Sequence, residues 1–230
     1  MPLIAVEGAD AVGKSTQVKL LADFLTERAV RSGVSLRGMH LPRLEGGRFS
    51  LLLQKFLKGE FASGGNVDPQ LVALLFACDR FDVRPRLEEW LGQGDIVLMD
   101  RYVASNVAYQ CAKLADGLER RKLRGWIEEL EYGAFGLPHA DVTLCFDAPL
   151  SFSLAQIAVR RSQGVCADDV HEMDVELQRG VRRMYEEIAA SDPNFYVVRC
   201  GEAGAGDMYT MRDPEEIFEE VRLVVDGLTA

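Results

Sequence analysis

The chain has 230 residues, of which 48% are hydrophobic and 27% charged, and this composition indicates a globular domain, 1–230, with enough length for a full core. Its formal net charge of −10 argues against a nucleic-acid surface, which needs a basic face, although a local cluster of arginines could still hold a small anion. The longest apolar run, LVALLFAC at 71–78, is far below the ~20 residues of a membrane span, and we expect no targeting segment. The five cysteines form no C-x-x-C pair, so we expect neither a disulfide framework nor a zinc site. A cytoplasmic, reducing setting fits this cysteine usage.

The predicted elements alternate between strands and helices along the chain. A short apolar strand at 3–8 leads into a helix that should stop at Gly33, and 34–41 is a second strand. A long helix is predicted at 69–92, with a kink or a break at Pro85. The remaining predicted elements are strands at 95–100, 141–147 and 195–200, a helix with the stripe Leu123, Ile127 and Leu130, and a last helix that opens at Asp213 and Pro214. Continuous apolar strands separated by helices predict an α/β fold with a five-stranded parallel sheet covered by helices on both faces.

A glycine-rich segment follows the first strand directly and opens the first helix. It reads EGADAVGKST, residues 7–16, and fits G-x-x-x-x-G-K-[ST], a loop whose backbone N–H groups surround phosphate. Lys14 would reach the β- and γ-phosphates of a nucleotide, and Ser15 would bind Mg²⁺. The alternative is a glycine-rich turn with an exposed lysine. The pattern predicts an ATP site formed by Gly8, Ala9, Asp10, Ala11, Val12, Gly13, Lys14, Ser15 and Thr16.

Two arginines follow strand ends that should lie opposite this loop. Arg43 comes after the second strand, and Arg101 comes directly after Asp100, where a hydrolase would often place a glutamate that activates water. Ligands of parallel sheets sit beyond the carboxyl ends of the strands, and the planar fork of arginine suits phosphate, so the pair indicates an acceptor that already carries phosphate. A phosphate oxygen needs no general base as the attacking group, whereas a nucleoside hydroxyl usually needs a carboxylate base. Glu45 lies near Arg43 in the sequence and could be such a base, so a nucleoside acceptor remains the alternative. Either arginine alone could also be an ordinary exposed charge.

Five segments of the chain resemble the thymidylate kinase family in order and spacing. They are EGADAVGKSTQ at 7–17, LPR at 41–43, LLFACDRF at 74–81, MDRYVASNVAYQ at 99–110 and GLPHAD at 136–141, so the resemblance covers nearly the whole chain. The stretch DRYVASNVAY is especially similar to the actinobacterial members. The resemblance implies a P-loop kinase that transfers the γ-phosphoryl group of MgATP to dTMP and that usually forms a homodimer.

Carried over residue by residue, the resemblance also implies an acceptor site. Phe76 would stack on thymine, Arg80 would bond the edge of the base, and Tyr109 would crowd the 2′ position of the sugar; Phe76 and Tyr109 could instead belong to the core. Asp10 would lie between the 3′-hydroxyl of the sugar and the metal, and Glu172 and Ser15 would lie near the metal. The other acceptor residues implied are Arg43, Asp100, Arg101, Asn106 and Gln110.

The phosphate loop departs from part of the family at Ala11, where some members carry an arginine. We expect the missing charge to come from a lid at about 157–172, which holds Arg160 and Arg161. Glu172 either assists the metal or the sugar, or belongs to a solvated acidic helix start. The short lid leaves two alternatives, a different nucleoside or nucleoside monophosphate kinase and a nucleotide-binding scaffold that does not catalyse. The residues expected to carry catalysis are Lys14, Arg101, Asp10, Arg160 and Arg161.

Overall fold

Five parallel strands form the central sheet of the computed structural model, which describes residues 2–61, 67–162, 174–204 and 208–229. The strands lie side by side in the order β2-β3-β1-β4-β5. Their bounds are Leu3–Glu7 for β1, Leu36–His40 for β2, Ile96–Asp100 for β3, Val142–Asp147 for β4 and Phe195–Arg199 for β5. Each strand lies within the range predicted for it, and the α/β fold with a parallel sheet is confirmed.

Helices occupy the connections between these strands. They are α1 (Lys14–Ser32), α2 (Ser50–Leu57), α3 (Pro69–Gly92), α4 (Val103–Cys111), α5 (Gly117–Glu128), α6 (Leu150–Ser162), α7 (Val175–Ala189) and α8 (Pro214–Thr229). A π-helical turn, Glu129–Ala134, continues α5, and two short antiparallel strands, β6 (Gly201–Ala203) and β7 (Tyr209–Met211), precede α8. None of the helices is long and apolar enough to cross a membrane, within the ranges that the structure describes.

The core lies in two layers, one on each face of the sheet. Successive residues of a strand point to opposite faces, so Leu3 and Ala5 of β1 join one buried cluster, which α3, α4 and α7 cover. Ile4 and Val6 join the other cluster, which α1 and α8 cover. Because both faces are buried at the centre of the sheet, β3 and β4 are apolar up to their final aspartates, which is the pattern that predicted a parallel sheet, whereas the edge strands β2 and β5 also carry polar residues.

Two of the predicted helix boundaries are confirmed. Gly33 ends α1 with a φ of 69°, and its N–H bonds the carbonyls of Ala29 and Val30. Asp213 precedes α8 and accepts the N–H of Glu215 at 2.8 Å, as expected of an N-cap.

Other predictions about the helices are corrected by the structure. Of the kink or break predicted at Pro85, the break does not occur: α3 continues through the proline, with Val83 and Leu87 on either side of it buried in the core. The stripe of α5 runs from Leu123 and Ile127 to Glu131 in the π-helical turn, while Leu130 is only half-buried.

Several elements were not predicted, and one predicted element lies largely outside the description. The helix α2 and the strands β6 and β7 carry no long periodic pattern, since each is short. Of the predicted lid at 157–172, the structure describes the end of α6 up to Ser162, and residues 163–172 lie outside the described ranges.

Candidate active site

The phosphate loop, residues 8–16, joins β1 to α1 with a backbone that only particular residues allow. Gly8 has a φ of 138°, and a Cβ there would lie 2.4 Å from the carbonyl oxygen of Phe146 in β4, so no other residue fits. Ala11 and Gly13 also have left-handed φ values, 57° and 96°. A turn of this kind that runs into a helix N-terminus gathers backbone N–H groups around an anion, as the sequence pattern predicted.

Lys14, the first residue of α1, lies folded back on this loop. Its ammonium group donates hydrogen bonds to the carbonyl of Gly8 at 2.9 Å and to that of Ala9 at 2.5 Å. Burial, together with the positive charge of Arg101, lowers the pKa of Lys14 from 10.5 to about 8. The phosphate loop therefore holds a buried cation whose charge has too few anionic partners in the protein itself.

Arg101 reaches the phosphate loop from the end of β3. Its backbone has a left-handed φ of 67°, unusual for a residue with a side chain, and its N–H bonds the carbonyl of Val6 at 2.8 Å. The guanidinium pairs with Asp10 and donates to the carbonyl of Gly8 at 3.2 Å and to Ser105 Oγ at 3.3 Å. Arg101 and the loop thus form one connected group, as expected for residues at neighbouring strand ends.

Glu7 fixes the segment that carries Arg101, a role that the sequence analysis did not identify. Its carboxylate is fully buried and accepts the backbone N–H groups of Tyr102 at 2.8 Å and Ser105 at 3.1 Å. It also accepts the hydroxyls of Ser105 and Tyr185. These bonds hold the turn after Arg101 in a conformation that would otherwise cost about 1–3 kcal/mol.

Asp10 is an ionised carboxylate at the centre of the site. Its second oxygen accepts the hydroxyl of Tyr109 at 2.6 Å and the side-chain amide of Gln178 at 3.1 Å. Burial alone would raise the pKa of Asp10, but Arg101 and Lys14, with the hydrogen bonds from Tyr109 and Gln178, hold it below its ordinary value. The guanidinium of Arg101 also lies over the ring of Tyr109, 5.3 Å from its centre.

Aromatic and polar side chains of α3 and α4 lie at the other end of the site. Phe76 is half-buried and meets Phe56 of α2 edge-on, with 5.9 Å between ring centres. Arg80 is buried and paired with Glu131, and the amide of Asn106 donates to the same carboxylate at 2.8 Å. Phe56 was missed because α2 itself was not predicted.

One cavity of about 320 Å³ joins these two ends. Its wall combines residues of the phosphate loop, of β2 and β3, of α3 and α4 and of the end of α6. Among the predicted site residues it includes Asp10, Ala11, Lys14, Ser15, Phe76, Arg80, Asp100, Arg101, Asn106, Tyr109, Gln110 and Arg160. Residues of the wall that the sequence did not indicate include His40, Phe56 and Lys113. A volume of this size accommodates a small ligand.

Among the described residues predicted to bind the acceptor, Arg43 is the one that does not line this cavity. Its guanidinium pairs with Asp79 at 2.8 Å and with Asp82 at 2.6 Å, and its backbone N–H also donates to Asp79. The two carboxylates lie on the same side of α3, so they compensate the arginine fully. Of the two arginines expected to converge, Arg101 alone lines the cavity.

A possible position for a cation lies beside the phosphate loop. Oδ2 of Asp100 meets the ring of His40 at 2.8 Å, while Oδ1 is buried and has no partner among the residues described. Burial alone would raise the pKa of Asp100, but His40, Lys14 and Arg101 hold it below its ordinary value. Ser15 is exposed in the same cavity wall. No cluster of three or more His, Cys, Asp or Glu side chains suited to a metal occurs within the described ranges.

The predicted lid residues are placed only in part. Arg160, near the end of α6, lines the cavity. The side chain of Arg161 and the whole of Glu172 lie outside what the structure describes. Taken together, a phosphate loop, a buried lysine, an arginine bonded to that loop and an aromatic end in one cavity define a nucleotide phosphotransferase of the P-loop class.

Comparison with known proteins agrees with this class and narrows it. The family model described as thymidylate kinase matches residues 6–203. A thymidylate kinase of Rhodopseudomonas palustris (strain TIE-1) is 32% identical over 219 residues, covering 95% of this chain and 85% of that protein. One of Mycobacterium tuberculosis (strain H37Rv) is 33% identical over 190 residues, covering 82% and 86%. The chain belongs to the thymidylate kinase family and is an ATP-dependent kinase that phosphorylates dTMP.

A solved structure supports the fold independently. That of a thymidylate kinase from Candida albicans superimposes with a TM-score of 0.73, covering 99% of this chain and 92% of the other, at 23% sequence identity. At this level of identity the likeness concerns the fold, and it extends over the whole parallel sheet and its helices.

Proposed function

We propose that dTMP occupies the cavity with its base toward Phe76 and Arg80 and its phosphate toward Arg101, while the phosphate loop holds ATP. One observation carries this proposal: a single cavity is lined both by Lys14 and Ser15 of the loop and by Phe76 and Arg80 of α3. A donor bound on the loop and an acceptor bound in the cavity would then meet beside Arg101.

The chemistry in this arrangement is a transfer between two phosphates. An oxygen of the dTMP phosphate forms a bond to the γ-phosphorus of ATP as the bond from that phosphorus to the β–γ bridging oxygen breaks, and ADP leaves with that bond's electron pair. The attacking oxygen is already an anion, so no general base is needed, and the protein contributes alignment and neutralisation of charge.

Lys14 and Arg101 supply the positive charge at this point. Lys14 donates to carbonyls of the loop, and it can turn to phosphate oxygens because these carbonyl partners carry no full charge. Arg101 keeps Asp10 as a counter-ion and lies against the phosphate loop, so it can bridge both phosphates. Asp10 fixes the direction of Arg101 and of Tyr109.

Mg²⁺ fits the site through Ser15 and Asp100. The buried Oδ1 of Asp100 lacks a partner in the described structure and Ser15 lines the same cavity, whereas both oxygens of Asp10 accept hydrogen bonds. When bound, Mg²⁺ neutralises charge on the donor phosphates. Glu172, which the resemblance also implies near the metal, remains a prediction.

The roles of the remaining predicted residues follow from their positions. Arg160, together with Arg161, would neutralise the transferring group when the lid closes. The ring of Tyr109 stands in the cavity wall and would exclude a 2′-hydroxyl, and Asn106 and Gln110 would line the base. Arg43 could bind the acceptor phosphate only after its ion pairs with Asp79 and Asp82 had broken.

The proposal is tested by identifying the products. The protein is incubated with MgATP and dTMP, and the nucleotides are separated by anion-exchange chromatography. Equal amounts of ADP and dTDP are expected. ADP formed without dTDP would indicate hydrolysis and would contradict the acceptor site, and omission of Mg²⁺ should stop the reaction.

We also propose that the chain forms a homodimer through the outer face of α3. Leu71, Leu74 and Phe81 are exposed by 64%, 37% and 45%, and with the half-buried Cys78 they follow one another at helical spacing. An apolar stripe of this length suits a second copy of the same face, since a two-fold interface is self-complementary.

The dimer is tested by sedimentation. Leu71→Glu combined with Leu74→Glu should convert the sedimenting species to a monomer. The control is Leu223→Glu, on α8, which places a charge at a leucine that is 69% exposed and should leave the dimer intact. A doubly substituted protein that still sediments as a dimer would place the interface elsewhere.

A cytoplasmic setting is consistent with the free cysteines at 78, 111, 145 and 200.

A further inference from the structure

Glu131 is a fully buried carboxylate at a position where the helical pattern calls for an apolar residue. The stripe of α5 passes from Leu123 through Ile127 to Glu131. The π-helical turn is marked by a hydrogen bond from the N–H of Phe135 to the carbonyl of Leu130, 2.8 Å long, which spans one residue more than an α-helical bond. A buried carboxylate is costly unless it is paired and hydrogen-bonded, so its partners indicate why it is there.

The first partner of Glu131 is Arg80, which donates hydrogen bonds to it from two of the three guanidinium nitrogens. Nη2 donates to Oε1 at 2.7 Å, and Nε donates to Oε2. Both side chains are almost fully buried, with 3% of Arg80 and 0% of Glu131 exposed. The third nitrogen, Nη1, has no hydrogen-bond partner among the residues described, and Arg80 lines the cavity. The fixed fork thus leaves one donor nitrogen for a ligand.

The second partner is Asn106, whose amide orientation is set by the same carboxylate. Its Nδ2 donates to Oε1 of Glu131 at 2.8 Å and to the carbonyl of Ala73 at 2.9 Å, which uses both amide hydrogens. Both acceptors lack hydrogens, so the amide cannot turn round without losing both bonds. Its Oδ1 is left buried, without a partner in the described structure, in a residue that lines the cavity.

Glu131 thereby orients one donor nitrogen and one acceptor oxygen on two residues that line the cavity. A uracil or thymine ring presents the matching pair on adjacent atoms, an acceptor at O4 and a donor at N3–H, whereas cytosine presents a donor at N4 and an acceptor at N3. We infer that Glu131 is a positioning residue that sets the hydrogen-bond polarity of the base site and so excludes the 4-amino pyrimidine. The inference rests on the proposed function, since it requires the acceptor base to lie against Arg80 and Asn106.

The test compares dUMP with dCMP as acceptors, because both lack the 5-methyl group and they differ only at N3 and C4. Glu131→Gln keeps the size of the side chain but replaces one of the two acceptor oxygens by an NH₂ donor, so it can no longer accept all three N–H bonds that Arg80 and Asn106 donate to Glu131, and the fixed direction of these side chains is lost. The ratio of kcat/KM for dUMP to that for dCMP should fall at least ~10-fold. The matched control, Glu129→Gln, neutralises an exposed glutamate of the same turn and should keep the wild-type ratio.

A second variant keeps the charge and tests the geometry. Glu131→Asp retains a carboxylate but shortens the side chain, so the ratio should stay near that of the wild type while KM for dTMP rises several-fold and kcat changes little. A merely structural role would lower the amount of folded enzyme without altering the ratio for either variant.

The outcomes distinguish this inference from the proposed function. A wild-type protein that phosphorylates none of dTMP, dUMP and dCMP would overturn both. A wild-type protein that prefers dUMP to dCMP, with an unchanged ratio in Glu131→Gln, would overturn the role of Glu131 alone. If Glu131→Gln does not fold, an unchanged KM for dTMP in Glu131→Asp overturns it equally.

Discussion

Replacing Lys14 with methionine should remove the activity and change how the stability of the protein depends on pH. The folded protein holds the ammonium group in a buried position, where its pKa is lowered from 10.5 to about 8. At about pH 7 this difference corresponds to a cost of about 3 kcal/mol in the free energy of unfolding. Methionine avoids that cost but also loses the bonds that the ammonium group donates to the carbonyls of Gly8 and Ala9, at about 1.5–3 kcal/mol each, so no net gain in stability is expected near neutral pH.

The dependence of stability on pH reports the buried charge of Lys14 directly, because it follows from the lowered pKa alone. Between about pH 8 and pH 10.5 the unfolded chain binds a proton at Lys14 that the folded protein has lost, so the stability of the wild type rises with pH in this range. Between about pH 7 and pH 9.5 the wild type should gain about 2 kcal/mol relative to the variant. Groups that titrate in both proteins cancel in this comparison.

The assay is urea unfolding of wild type and variant at both pH values, without nucleotide. The control is Lys19→Met, which removes a lysine of the same helix whose side chain is 80% exposed and which should leave the wild-type dependence on pH in place. A difference in stability between wild type and Lys14→Met that does not change with pH would refute the conclusion that the folded protein destabilises the charged form of Lys14.

Three further outcomes concern catalysis. Lys14→Ala should keep the fold and lower turnover more than ~10-fold, and a smaller loss in steady-state assays would argue against the donor assignment. Tyr109→Ala should admit UMP as an acceptor, whereas Tyr109→Phe should keep the discrimination between dUMP and UMP. The kcat of Tyr109→Phe should fall less than ~10-fold, because Asp10 loses only one hydrogen-bond donor. Equal discrimination by the wild type and Tyr109→Ala would rule out the steric role of the ring. Replacing Arg160 and Arg161 together by alanine should reduce kcat by ~10³-fold or more with little change in ATP affinity, and an unchanged kcat would eliminate the lid arginines as the source of charge.

The sequence predicted the features whose causes are local. The strands β1, β3 and β4 are mainly apolar runs that are closed by a glycine or an aspartate, and the phosphate loop has a glycine where close packing against β4 demands one, at Gly8. Because the carboxyl ends of parallel strands share one edge, the meeting of Arg101 with the loop followed from their positions alone.

The features that escaped prediction depend on contacts between distant segments. Arg43 has the spacing of a phosphate ligand, but Asp79 and Asp82 of α3 hold it, and nothing in the neighbourhood of Arg43 indicates that pairing. The burial of Glu131 was not predicted because helical spacing assigned Leu130 to the buried stripe, whereas the stripe continues to Glu131 in the π-helical turn. Polar residues in a core can be interpreted only once their partners are known.

The most direct test of the account is a comparison of acceptors under one set of conditions. Initial rates of ADP release are measured with dTMP, dUMP, dCMP, dGMP and thymidine, each over a range of concentrations at saturating MgATP. The account predicts the highest kcat/KM for dTMP and no phosphorylation of thymidine, which lacks the phosphate that Arg101 would hold. A preference for dGMP, or for thymidine over dTMP, would contradict it.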